Sequence, residues 1–72
     1  MSRRIKLWYD EQPHCEPGWC AEVYDNDILV MTSEGWGWPV DFDGYGSDDG
    51  EAVQKAVAAE FPGAVLDYRG KQ

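Results

Sequence analysis

The sequence predicts a small α+β domain in which an antiparallel sheet of four to five strands carries one helix on one face. Several short segments alternate apolar and polar residues and are rich in β-branched and aromatic side chains, which is typical of strands. Only residues 49–61 space their apolar residues by three and four, as an amphipathic helix does. A chain of 72 residues accommodates a single domain, 1–72, and one helix on one sheet face is the economical packing.

The first three strands are predicted from alternation and from one turn. The segment 3–9, RRIKLWY, has two faces: Ile5, Leu7 and Tyr9 on one, and Arg4, Lys6 and Trp8 on the other. Residues 19–24, WCAEVY, and 28–33, ILVMTS, are the next two strands. Between them Asp25-Asn26-Asp27 forms a turn, because Asn and Asp tolerate positive φ, so these two strands are expected to pair as a hairpin.

A fourth, short strand is predicted over residues 36–42. Trp36, Trp38, Val40 and Phe42 alternate with smaller or polar residues, and we expect the two tryptophans to contribute to the core. Pro39 has no backbone donor, which confines this strand to an edge or a bulge.

The helix and the last strand complete the order β-β-β-(β)-α-β. Asp48 is predicted to cap the helix, with Glu51 three residues later completing a capping box. The apolar stripe of the helix consists of Val53, Ala56, Val57 and Phe61, widened by Ala52 and Ala59. Pro62-Gly63 ends the helix, and residues 64–69, AVLDYR, form the last strand.

Charge is distributed very unevenly along the chain. Fourteen acids and six bases give a net charge of −8. Between Lys6 and Lys55, 48 residues contain twelve acids and no Lys or Arg, so this span carries a net charge of −12 with His14 neutral. Such a field repels DNA, RNA and anionic membranes and attracts basic surfaces.

The sequence contains partial ligand sets for two metals, calcium and zinc. A calcium loop starting at Asp41 would place Asp43 and Asp49 at ligand positions three and nine, but Tyr45 and Ala52 occupy positions five and twelve, where oxygen ligands are needed. A zinc site would have at most three ligands, His14, Cys15 and Cys20, whereas structural zinc requires four. We therefore expect no metal and no cofactor. Because only four residues separate Cys15 from Cys20 and no secretory signal is present, we expect reduced thiols, with a disulfide as the alternative.

Catalysis and export are also not indicated. The only histidine, His14, is adjacent in sequence to Cys15, a spacing that rarely produces a nucleophile–base pair, and we expect a protein that is not an enzyme.

The basic start, Ser2-Arg3-Arg4, is not followed by the apolar run of a secretory signal. The longest apolar run, 28–31, is far shorter than the roughly 20 residues of a membrane span. The expectation is a cytoplasmic monomer.

The acids are predicted to form a surface that binds a partner. The main cluster comprises Asp41, Asp43, Asp48, Asp49 and Glu51; the further candidates are Asp25 and Asp27, Asp10 and Glu11, and Glu34. Residues on one face of a strand recur about every 6.6 Å, so acids on neighbouring strands and turns can imitate a track of phosphates. The expected partner is a basic protein or complex that itself binds nucleic acid.

The whole chain, which opens MSRRIKLWYD and lacks bases over residues 7–54, resembles the phage-encoded anti-CRISPR proteins. It is most similar to the acidic ones that mimic DNA and block target recognition by a Cascade-type surveillance complex. The resemblance implies an inhibitor that acts by occupancy in the cytoplasm of the host cell, without cofactor or turnover. Two alternatives remain: an antitoxin whose β-β-β-α-β domain covers the RNA-binding face of a toxin, and a small calcium-binding accessory module.

Overall fold

A computed structural model describes residues 3–11 and 18–71 of the chain. The α+β class and the order β-β-β-α-β are confirmed, with one helix packed against a four-stranded sheet. The elements are β1 (Arg3–Asp10), β2 (Gly18–Asp25), β3 (Ile28–Thr32), a 3-10 turn (Phe42–Gly44), α1 (Gly50–Glu60) and β4 (Val65–Lys71).

The sheet is mixed, which corrects the expectation of a purely antiparallel one. Its strand order is β3-β2-β1-β4; β1, β2 and β3 form an antiparallel meander, and β4 pairs with β1 in parallel. The reason is directional. Three alternating strands leave β3 running in the same direction as β1, and α1 then returns the chain along the sheet. Consequently β4 starts at the same end as β1 and runs parallel to it.

The core lies between one face of the sheet and α1. Its seven buried residues are all apolar: Ile5, Leu7, Trp19, Ala21, Val23, Val53 and Val57. The alternation predicted in β1 is confirmed, because Ile5 and Leu7 are buried, and Tyr9 is half-buried with its ring 5.3 Å from that of Trp19. No polar or charged residue is buried among the residues described.

The predicted strand over 36–42 does not form. Gly37 has a positive φ of 88°, which interrupts extended backbone, and Pro39 cannot donate to a strand ladder. Trp36 is therefore 100% exposed, and its prediction as a core residue is wrong. Trp38 does pack against the core, with its ring 5.4 Å from Phe42 and 5.6 Å from Phe61.

The helix matches the predicted segment within one residue at each end, but its start differs in detail. Val53 and Val57 are buried as predicted, whereas Ala52 and Ala59 are exposed. Gly50 begins the helix beside Tyr68, whose hydroxyl would lie 2.5 Å from a Cβ at that position, so a glycine permits this close approach. Over the described residues, no helix combines the length and the hydrophobicity that crossing a bilayer requires.

Candidate interaction surface

The acidic segment 41–51 connects the irregular chain after β3 to the start of α1, and two of its acids hold its backbone in place. Asp41 caps the 3-10 turn, accepting a hydrogen bond from the backbone N–H of Asp43 at 3.0 Å. Asp49 Oδ2 accepts one from the N–H of Gly46 at 2.7 Å. The buried Trp19 then anchors the segment by donating its indole N–H to the Gly46 carbonyl at 2.9 Å.

This geometry corrects the predicted capping box. The N-cap of α1 is Asp49 rather than Asp48, and the Asp49 carboxylate bonds to the preceding turn instead of to the helix. Glu51 lies in the first turn, where the helix dipole favours negative charge, but it contacts Lys55.

The other three acids of the segment are not needed to hold it together. Asp43 is exposed, and the Asp48 side chain is 98% exposed. Asp48 lies 4.0 Å from Lys71, and Glu51 lies 3.7 Å from Lys55, so both pairs are long and solvated. Such pairs contribute about 0–1 kcal/mol. Asp43, Asp48 and Glu51 therefore remain available for an external cation; we call these three residues the acidic cluster.

We predict that the two neighbouring aspartates differ sharply in their effect on stability. Asp49→Ala leaves the N–H of Gly46 without its acceptor and is expected to cost about 1 kcal/mol. Asp48→Ala removes only a solvated ion pair and is expected to cost less than about 0.5 kcal/mol. Urea unfolding of the two variants measures the difference. Equal costs would contradict the assignment of the Gly46 hydrogen bond to Asp49.

The five remaining candidate acids lie outside the segment 41–51. Asp25 and Asp27 lie at the β2–β3 turn, where Asp25 is half-buried 3.9 Å from Arg3 and Asp27 is exposed with a φ of 67°. Asp10 and Glu34 line a concavity beside Trp8. Glu11, the last residue described after β1, is exposed. The ten predicted acids thus belong to the segment 41–51, to the β2–β3 turn, and to the chain at the end of β1 and just after β3.

Sequence reasoning missed what the basic residues do. Three of the six bases lie on the sheet face opposite α1, and each has a partner on that face. Arg4 lies over the ring of Tyr24 at 5.3 Å, and Lys6 over the ring of Trp8 at 5.4 Å. Alternation in β1 already placed Arg4, Lys6 and Trp8 together and was the available signal.

The third base on that face, Arg69, forms two hydrogen bonds to Asp67, at 3.0 and 2.8 Å. The hydrogen bond from Arg69 lowers the pKa of the Asp67 carboxyl below its ordinary value. Because its folded-state pKa is depressed, the pair stabilises the fold above the ordinary aspartate pKa. That contribution is lost as the pH falls through the lowered value. Asp67 and Arg69 thus partner each other within the chain.

Neither metal site gains a ligand set from the structure. In the calcium loop, Asp41 and Asp49 each commit one oxygen to a backbone N–H. Across residues 3–11 and 18–71, no three or more His, Cys, Asp or Glu residues are grouped so that they could hold a metal ion. His14 and Cys15 lie outside the described residues, and Cys20 is half-buried on β2.

Comparison of the chain with protein-family models, with curated proteins and with solved structures found no match.

Proposed function

We propose that this protein is a non-enzymatic inhibitor that mimics DNA and occupies the basic nucleic-acid-binding surface of another protein. The observation that carries the proposal is the exposure of the acidic cluster. Asp43, Asp48 and Glu51 project from a segment whose backbone is already held by Asp41, Asp49 and Trp19. The ion pairs of Asp48 and Glu51 contribute only about 0–1 kcal/mol each to the fold, and a role in binding accounts for the exposed charges.

The balance of charge over the surface supports the same proposal. Three bases are partnered on the face opposite α1, and the contacts of the acidic cluster with Lys55 and Lys71 are long. With fourteen acids against six bases, a net charge of −8 remains that no base of the chain neutralises. A basic groove that binds DNA is adapted to about one negative charge per 1.7 Å of duplex axis. A compact acidic protein competes for such a groove by charge and is steered to it over long range.

The target that we propose is the DNA-binding surface of a CRISPR surveillance complex of the Cascade type. The resemblance to acidic anti-CRISPR proteins supports this choice. Inhibition is by occupancy, so one inhibitor blocks one binding surface and no turnover is involved. The protein itself does not bind nucleic acid.

The test is a capture experiment followed by competition. The tagged protein is incubated with nuclease-treated bacterial lysates, eluted with increasing salt, and the captured partner is purified. We expect a nucleic-acid-binding partner that is released between about 50 and 200 mM salt and displaced by its own nucleic acid. Competition between the protein and labelled target DNA for a purified Cascade-type complex tests this proposed target directly. A partner that resists salt, or that has no nucleic-acid function, would contradict mimicry.

A further inference from the structure

The two edges of the sheet differ in how they are protected. The edge strand β4 carries Asp67, Arg69 and Lys71. The opposite edge strand, β3, has the sequence ILVMT and no charged residue. Proteins usually protect edge strands with charges, proline or bulges, because the unpaired N–H and C=O groups recruit other strands. Strand β3 has a bulge where its register with β2 shifts, but it lacks the charged residues that β4 carries. The β3 strand is therefore the more accessible edge.

Exposed apolar side chains are concentrated along this edge. Four of the six exposed large hydrophobic residues in the described chain belong to β3 or to the turn after it: Ile28, Leu29, Val30 and Trp36. We call these four residues the β3 edge. Leu29, Val30 and Trp36 also line a common open concavity. Contiguous exposed apolar residues framed by polar ones are typical of a binding surface.

Acids flank strand β3 on both sides along the chain. Residues 28–33 contain no charged residue, with Asp25 and Asp27 before them and Glu34 after them. An apolar centre with a polar, solvated rim is the usual arrangement of a protein–protein interface. The complementary surface is therefore apolar at its centre and positively charged at its ends.

A second copy of the chain does not match this pattern. If two β3 strands paired antiparallel so that residues 28–33 aligned with themselves, Asp27 of each copy would lie opposite Glu34 of the other. Like charges directly opposite each other destabilise strand pairing. Each copy also carries a net charge of −8, so the copies repel over longer distances.

We propose that the β3 edge receives an edge strand of the partner protein, with an apolar centre and Lys or Arg at its ends. This inference rests on the proposed function, because the basic partner supplies the terminal cations. The added strand would extend the sheet beyond β3 through backbone hydrogen bonds, and its apolar side chains would pack against Leu29, Val30 and Trp36. The acidic cluster accelerates encounter and supplies charge contacts in the complex, and the β3 edge adds apolar contacts that slow dissociation.

A synthetic peptide of sequence KKTVIVTKK serves as the probe, titrated into the isotope-labelled protein and followed by NMR. We expect amide shifts concentrated in β3, with a Kd between about 10 μM and 1 mM. Val30→Lys is expected to weaken binding at least about tenfold, because a charge on the edge blocks strand addition. The matched control is Val65→Lys on β4, which is expected to stay within about twofold of the parent.

The control is closely matched because Val30 and Val65 are 54% and 64% exposed, and each substitution adds one positive charge. A dispersed amide spectrum establishes that each variant is folded. Shifts in β4 instead of β3, equal weakening by the two variants, or equal binding of a peptide with glutamate ends would overturn the proposal. A dimer of the protein that Val30→Lys dissociates would overturn it in favour of a second copy.

The peptide assay contains no nucleic-acid-binding protein, so it separates this inference from the proposed function. If the peptide does not bind at β3 but the protein still competes with DNA for its partner, only the β3 docking proposal fails. If the peptide binds at β3 but the protein does not compete with nucleic acid for any partner, the proposal of DNA mimicry fails instead.

Discussion

Reversing two charges of the acidic cluster, Asp48→Lys with Glu51→Lys, is expected to weaken partner binding at least about 100-fold. Both side chains are exposed and form only long contacts with lysines of the same chain. Each reversal replaces an attraction to a cation of the partner by a repulsion, and losing one close charge contact at an interface already costs about 2 kcal/mol or more. Every 1.4 kcal/mol is about tenfold in Kd, so two reversals account for the expected loss.

The fold should tolerate this change. Losing two solvated ion pairs costs about 0–1 kcal/mol each, and a lysine in the first turn of α1 opposes the helix dipole by about 0.3–1 kcal/mol. Calorimetric titration against the partner measures binding, and thermal unfolding followed by circular dichroism measures stability.

A control at the other end of the same helix separates local charge from net charge. Ala58→Lys, Ala59→Lys and Glu60→Lys together add four positive charge units, the same as the double reversal, and all three side chains are exposed. Lysines in the last turn also agree with the helix dipole. We expect this variant to bind within about fivefold of the parent, losing only long-range steering. If both variants bind equally weakly, the net charge of the protein, and not the acidic cluster, determines its affinity for the partner.

Leu7→Ala is expected to produce the largest loss of stability of any substitution discussed. Leu7 is fully buried in β1, which lies between β2 and β4 in the sheet. Removing a buried leucine side chain to Cβ costs about 2–5 kcal/mol, because the cavity left behind closes only in part. Domains are usually stable by about 5–15 kcal/mol, and one this small lies towards the lower end. The variant should therefore be largely unfolded or melt at a much lower temperature.

Leu29→Ala is the matched control, since it removes the same atoms from a side chain that is 47% exposed in β3. Its expected cost is below about 1 kcal/mol. Urea unfolding followed by far-UV circular dichroism compares the two variants. If Leu7→Ala has no folded baseline, Leu7→Val supplies a smaller loss that is still measurable. A larger cost for Leu29→Ala than for Leu7→Ala would contradict the observed core.

Elements specified by local periodicity were predicted well. Alternation assigned Ile5 and Leu7 to the buried face of β1, and helical spacing assigned Val53 and Val57 to the buried face of α1. Both patterns follow from the geometry of a single element, since side chains alternate along a strand and recur every three to four residues along a helix. The tight turn Asp25-Asn26-Asp27 also formed, with Asn26 and Asp27 at positive φ.

Structural features that depend on contacts with other elements were predicted poorly. The alternation around Trp36 and Trp38 resembles a strand, but a strand also needs a neighbour to pair with, and Gly37 turns the chain away. The cap was predicted at Asp48, whereas the N-cap is Asp49, because residue spacing alone does not fix the residue at which a helix begins. Neither outcome is contained in residue spacing alone.

The sequence by itself determined the α+β class, the buried faces of β1 and α1, and the strongly negative span between Lys6 and Lys55. Only the tertiary structure decided that β4 runs parallel to β1, that Arg4 and Lys6 are partnered on the face opposite α1, and that the uncharged strand β3 lies at an edge. The physical reason is that burial and pairing at these positions depend on strand order. Strand order results from contacts between segments far apart in the chain, whereas periodicity and charge are properties of each segment alone.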